Sequence, residues 1–226
     1  YLLAGSRFYE PEYNVNFEGG YTSTSNNHRA SVNAFYMIRN NQHVQISSQQ
    51  DPGDPNSFYY FTANAGKGVN YGLEFDSKIK LTPSLSIKSS LGILVTSVDK
   101  YTFDSGSENI SLGDREQAMS PTYNFNLGVD YNHQSGFFSR FDLSGKDSYY
   151  YSESHNQKSE AYLVSNAEAG LKRDKWTLSF WCKNIFDKSY PIRGFYFGLE
   201  PPNYTDKLYI QWSDPRHFGI TISHQF

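Results

Sequence analysis

Residues 85–98 read Leu-Ser-Ile-Lys-Ser-Ser-Leu-Gly-Ile-Leu-Val-Thr-Ser-Val, with Leu85, Ile87, Leu91, Ile93 and Val95 at odd positions and Ser86, Lys88, Ser90, Gly92 and Thr96 at even ones. A period of two is that of a strand with two unlike faces. The pattern returns at 122–131, where Tyr123, Phe125, Leu127, Val129 and Tyr131 alternate with Asn124, Asn126, Gly128 and Asp130. Similar runs occupy 13–24, 29–46, 58–81, 137–150, 160–172, 176–185 and 213–226. Together they predict about nine strands and no helix.

The connections alternate between two lengths. Short stretches of turn-forming composition lie at 25–27, 82–84, 133–136 and 173–175, and long polar ones at about 47–57, 99–119, 151–159 and 187–212. Short turns at one end and long loops at the other are the plan of an up-and-down transmembrane β-barrel, whose strands need ~9–11 residues to cross a bilayer at a tilt. A soluble β-sandwich is the competing fold, but its strands are shorter, ~5–6 residues, and its inner face more apolar. Single-chain bacterial barrels have even strand numbers, so nine predicts one part of a larger antiparallel barrel.

Composition sharpens this picture. Mean hydropathy is -0.64 and only 38% of residues are hydrophobic, yet 17% are aromatic, with 19 Tyr and 17 Phe. Disordered chains are polar but poor in rings, whereas a wall with lipid on one side and water on the other is both polar and ring-rich. A net charge of -3 and a pI near 6.1 argue against a nucleic-acid partner. No apolar run approaches the ~18–20 residues of a membrane helix. Cys182 is the single cysteine, which excludes an intrachain disulfide or thiolate cluster. The chain starts at Tyr1-Leu2-Leu3-Ala4 with neither an initiating Met nor a signal peptide, so the expectation is a piece, or a chain from which a signal and much else was removed.

Several stretches resemble, in order, the C-terminal half of a TonB-dependent outer-membrane receptor. Residues 10–24 (EPEYNVNFEGGYTST), 33–42 (NAFYMIRNNQ) and 64–94, with its Gly-Leu-Glu strand, turn and return strand, are similar to successive parts of that family's barrel. Residues 176–197 resemble its Asn-Leu-Phe-Asp-Lys-x-Tyr signature, with Ile185 in place of Leu, and 214–226 (DPRHFGITISHQF) its closing Pro-Arg, aromatic-Gly and terminal Phe. The resemblance implies that 1–226 is wholly barrel, the C-terminal part of about twenty-two strands, without the N-terminal strands, the plug domain or the TonB-engaging segment. It also implies that Phe218, Gly219, Ile220, Ile222 and Phe226 carry the signal read by the outer-membrane assembly machinery. His224 departs from the pattern, being polar where an apolar residue is common.

Candidate chemistry is sparse. Gly66 to Gly72 is spaced GxGxxxG and runs into a strand, so close backbone packing explains it better than a phosphate loop. His28, His43, His133, His155, His217 and His224 never take metal-ligand spacing, and neither HExxH nor GxSxG occurs. No catalytic residue, metal site or cofactor is expected. Ligand contact falls to rings and a cation beside the long loops: Arg193, Phe195, Tyr196, Phe197 and Tyr204, with Tyr149 and Tyr150. For Tyr149 to Tyr151 an aromatic girdle at the membrane interface is the plain alternative. Arg140, Lys146, Lys183 and Glu168 are expected on the wet face, toward the plug. By resemblance, the function is TonB-driven import of a scarce small molecule across the outer membrane of a Gram-negative bacterium, most often a ferric siderophore, with cobalamin, haem and oligosaccharide open. The partners are TonB, the assembly machinery and the lipid bilayer. The alternatives are a passive porin, which needs an open lumen with charged rings, and an outer-membrane barrel hydrolase, which needs a clustered catalytic set.

Overall fold

A computed structural model describes residues 9–49, 51, 54, 57–104, 109–153, 155–205 and 207–226. Nine strands form one antiparallel sheet in which every neighbour is the next wall strand in sequence. They are β1 (Tyr13–Thr24), β2 (His28–Asn40), β5 (Lys67–Lys80), β6 (Leu85–Val98), β9 (Tyr123–Asn132), β10 (Phe137–Lys146), β11 (Tyr162–Arg173), β12 (Trp176–Lys183) and β15 (His217–His224). No α-helix occurs among the described residues. The turns 25–27, 81–84, 133–136 and 174–175 gather at one end of the sheet, and the connections 41–66, 99–122, 147–161 and 184–216 at the other.

Three of the long connections contain strands that the sequence pattern missed or merged. They hold the hairpins β3 (His43–Gln49) with β4 (Phe58–Asn64), β7 (Tyr101–Asp104) with β8 (Asn109–Leu112), and β13 (Pro191–Phe197) with β14 (Lys207–Trp212). The runs 29–46 and 58–81 are each broken once. Asn41, at a left-handed φ of 54°, bends the chain between β2 and β3. The ladder keeps its register across this bend, since Asn40 pairs with Lys67 and His43 with Asn64. β2–β5 and β3–β4 are therefore one ribbon with a kink.

The two faces of the wall differ as the alternation requires. One carries Val15, Phe17, Val32, Tyr36, Tyr71, Leu73, Ile93, Leu127, Phe141, Leu178 and Phe180, each at least 38% exposed. A contiguous apolar surface of that extent does not persist in water. Rings mark both of its margins: Tyr36 and Tyr71 stack at 6.1 Å on the loop side, and Trp176 meets His224 at 4.3 Å on the turn side. His224, the polar departure on the last strand, thus covers an indole at the margin. β5 and β6 are 14 residues each, about 45 Å of strand, or about 35 Å of height at a ~40° tilt, enough to span hydrocarbon. The opposite face is polar.

Among the described residues a conventional core exists only at the loop end. Val44, Ala65, Val98 and Tyr101 are buried together with Ala63 and Leu112 packed on them, and Tyr149 and Tyr151 are buried at 1% and 6% exposure. The run 137–150 consequently stops as a wall strand at Lys146, where the chain turns into this cap.

Candidate functional site

The connection 184–216 stands on a stitched base. Asn184 and Asp187 both take left-handed φ, near 51° and 52°, which turns the chain sharply at the end of β12. The Asn184 side chain donates to the carbonyls of Lys188 (3.0 Å) and Asp214 (3.2 Å) and accepts from the Lys188 amide (2.9 Å). Asp187 accepts from the Arg216 amide at 2.7 Å, while the Arg216 guanidinium donates to the Ile185 carbonyl at 3.3 Å. The Asn-Ile-Phe-Asp-Lys stretch and the Asp-Pro-Arg stretch, thirty residues apart, thereby hold each other, and the loop between them projects from a closed neck.

That loop is the hairpin β13–β14, and its pairing sorts the candidate residues by face. Arg193, Phe195 and Phe197 lie opposite Gln211, Tyr209 and Lys207, so these six share one face. Phe195 stacks on Tyr209 at 5.8 Å, and Phe197 meets the same ring edge-on at 6.5 Å. Phe195 and Phe197 remain 45% and 40% exposed. Glu200 accepts hydrogen bonds from the Tyr209 hydroxyl and the Lys207 ammonium, which hold its carboxyl below the usual range. Lys207 is thus compensated, whereas exposed Arg193 has no ion-pair partner among the described residues. The face presents rings and one guanidinium. Tyr196 points the other way, into the protein, its ring parallel to His155 at 3.4 Å and its hydroxyl donating to Gln157. Tyr204 sits in the connection between β13 and β14 at a φ of 47°, half-buried.

Of the three tyrosines 149–151, Tyr149 and Tyr151 are buried and Tyr150 is half-buried. Tyr149 is buried, donates to the Ile192 carbonyl at 3.2 Å and has the Lys146 ammonium 4.4 Å from its ring centre. Burial pushes the Tyr149 and Tyr151 phenols up. Tyr150 lies between the Arg115 guanidinium (4.2 Å) and the Lys158 ammonium (4.4 Å). Tyr151 packs against Gly194, where a Cβ would stand 2.5 Å from its ring. Glu153 is held above the ordinary carboxylate range by burial, its Oε1 accepting from the Ala118 amide at 3.3 Å. Tyr101, desolvated in the same cap, is pushed up to about 12. Arg115 and Glu153 were not singled out by the sequence because their partners lie in other loops, and Tyr209 because its pairing with Phe195 falls within a stretch read as loop.

On the polar face, Lys88, Asp130, Arg140 and Glu168 form a ladder across four strands. Arg140 lies 3.4 Å from Asp130 and 3.5 Å from Glu168, and Lys88 pairs with Asp130. A groove of about 280 Å³ beside it is lined by Arg29, Ser31, Asp76, Lys78, Lys88 and Asn126, among others. At the chain's end Phe218, Ile220 and Ile222 are 66–69% exposed on the apolar face, and Phe226 is fully exposed. Gly219 lies on the other face, under the Trp181 ring. Among the described residues no three His, Cys, Asp or Glu side chains gather as a metal-holding set.

A family model described as TonB dependent receptor-like, beta-barrel, matches residues 1–185. The structure is similar to the siderophore receptor PiuA from Acinetobacter baumannii (TM-score 0.73, 16% identity, 98% of this chain and 29% of that one). It is also similar to the ferric yersiniabactin uptake receptor FyuA from Yersinia pestis (TM-score 0.72, 16% identity, 95% and 30%) and to the copper transporter OprC (TM-score 0.69, 14% identity, 96% and 32%). At such identities the likeness is one of fold, and this chain spans about 30% of the length of these structures. The family match stops at 185, whereas the structural likeness covers 95–98% of the chain. By the extent of that match, the chain belongs to the TonB-dependent receptor family of outer-membrane β-barrels.

Proposed function

We propose that residues 1–226 are the C-terminal part of the barrel of an outer-membrane receptor that imports a scarce ligand, a ferric siderophore or other iron complex, with energy delivered by TonB through a plug domain elsewhere in the protein. In this reading the apolar face meets lipid and the polar ladder faces the plug. Phe226 with the outward residues of β15 is read by the assembly machinery during insertion. The observation that carries the ligand assignment is the exposed face of β13–β14: three aromatic rings beside a guanidinium with no ion-pair partner among the described residues, a surface for an anionic chelate whose iron-binding arms are flat and not for a bare ion. That PiuA and FyuA are receptors for siderophore and ferric yersiniabactin supports the class.

The test is equilibrium binding of ferric tris-catecholate, tris-hydroxamate and citrate chelates to the complete receptor. Arg193→Ala and Phe195→Ala are each expected to weaken binding of the accepted chelate by at least about 10-fold, ~1.4 kcal/mol. Unchanged affinity in both variants would remove this face from the ligand site.

A further inference from the structure

Arg115 is joined to the wall through its backbone. Its carbonyl accepts from the Val98 amide at 3.2 Å, an antiparallel bridge at the last residue of β6, and Val98 itself is 2% exposed. Its side chain reaches into a different loop. Nη1 donates to the His155 carbonyl and to Asn156 Oδ1, both at 2.7 Å, and Nη2 to the carbonyls of Ser152 (3.0 Å) and Glu153 (2.8 Å). The ring of Tyr150 covers the guanidinium plane. Three backbone carbonyls and a side-chain amide oxygen thus converge on one cation. The Arg115 fork ties together residues 152, 153, 155 and 156, the Glu153 carbonyl being shared with the Tyr101 hydroxyl at 3.2 Å.

The same loop is what the β13–β14 hairpin leans on. Tyr151 fills the space against Gly194, Tyr149 donates to the Ile192 carbonyl, His155 stacks on Tyr196, and Gln157 accepts from the Tyr196 hydroxyl. The contacts at Gly194 and Tyr196 fall on the side of β13 opposite Arg193, Phe195 and Phe197. Wall strand β6, Arg115, the 147–161 loop and the back of β13 form a continuous physical connection.

We propose that Arg115 is a positioning residue: by tying together residues 152, 153, 155 and 156 it fixes the pose of the β13–β14 hairpin, and so of the ring-and-guanidinium face read above as the ligand surface, on which this inference rests. Amide hydrogen exchange on the complete receptor, without ligand, tests it. Arg115→Met is expected to speed exchange in 191–197 and 207–212 by at least about 10-fold while 85–98 and 123–132 keep wild-type rates. Arg115→Lys is expected not to restore protection, because one ammonium cannot reproduce a planar fork with acceptors on both branches. Gly194→Ala, which keeps Arg115 and intrudes on the Tyr151 ring, is expected to loosen the same two segments, and it stands in if Arg115→Met does not fold. Wild-type exchange in 191–197 with either variant, or full recovery in Arg115→Lys, overturns the proposal. The readout contains no ligand. Chelate binding that survives Arg193→Ala and Phe195→Ala would therefore defeat the surface assignment alone, while the exchange result still decides what Arg115 does.

Discussion

The wall and the loop cap of this chain obey opposite rules with the same residue types. In the wall, Leu73, Phe75 and Ile93 face outward and Glu74, Asp76 and Gly92 face the other way. In the cap, Val44, Val98, Tyr101 and Tyr149 turn inward and charged groups lie around them. A single-layer sheet has no interior, so its apolar side chains need lipid. The cap stands in water and must build its own dry centre. The same contrast governs charge, because the wall's ion ladder lies open on the polar face whereas Glu153 in the cap is desolvated.

The contrast is broken most strongly from the cap. Tyr149→Ala removes a buried ring together with its hydrogen bond to Ile192, a change that costs about 3–5 kcal/mol in a packed core. If cap and wall are separate in this sense, limited proteolysis should open 147–161 and 184–216 while the heat-resistant, folded barrel band survives in gels. Loss of both together would show a single cooperative unit. Next in size is Phe75→Arg, which places a cation on the lipid side of β5 and should destabilise the bilayer-inserted protein by about 2–4 kcal/mol in urea titrations. Its neighbour Glu74→Gln, on the polar face, should shift the midpoint little, and equal effects would contradict the assignment of faces.

The smallest effect concerns pH. Glu12 accepts two hydrogen bonds from Arg39, at 2.7 and 3.0 Å, and that contact holds its carboxyl below the usual range. A folded-state pKa below the unfolded one gives stability that is present above the unfolded value and lost as pH falls through the folded one. Because the pair is partly exposed, the gain is at most about 1 kcal/mol. Glu12→Gln should lower stability slightly near neutrality and leave it unchanged in strong acid. A variant effect that persists undiminished in acid would refute the ion-pair origin.

The wall was legible from the sequence because alternation is enforced twice on every strand, by lipid on one side and water on the other. The run of residues 85–98 could hardly be read otherwise, and the four short turns announced themselves by composition. The neck was visible as a motif, although what Asn184 and Asp187 do with it was not. The cap was the least legible part. Tyr149 and Tyr151 look like a girdle until Ile192 and Gly194, some forty residues on, supply the surface that buries them. Arg115 shows nothing in its neighbours that points to acceptors at 152–156. Within 193–197 the separation of Tyr196 from Phe195 and Phe197 follows from strand periodicity, but a stretch read as loop gives no reason to apply it.

The kinked ribbon has a mechanical consequence. Because β3–β4 continues the register of β2–β5, with one bend at Asn41, the seven residue pairs beyond the bend form an arm about 23 Å long fixed to the wall at its root. Such an arm pivots. A rotation of about 10° at the bend carries its far end roughly 4 Å, so a small torque near Asn41 and Gln42 becomes a stroke comparable to the spacing between strands.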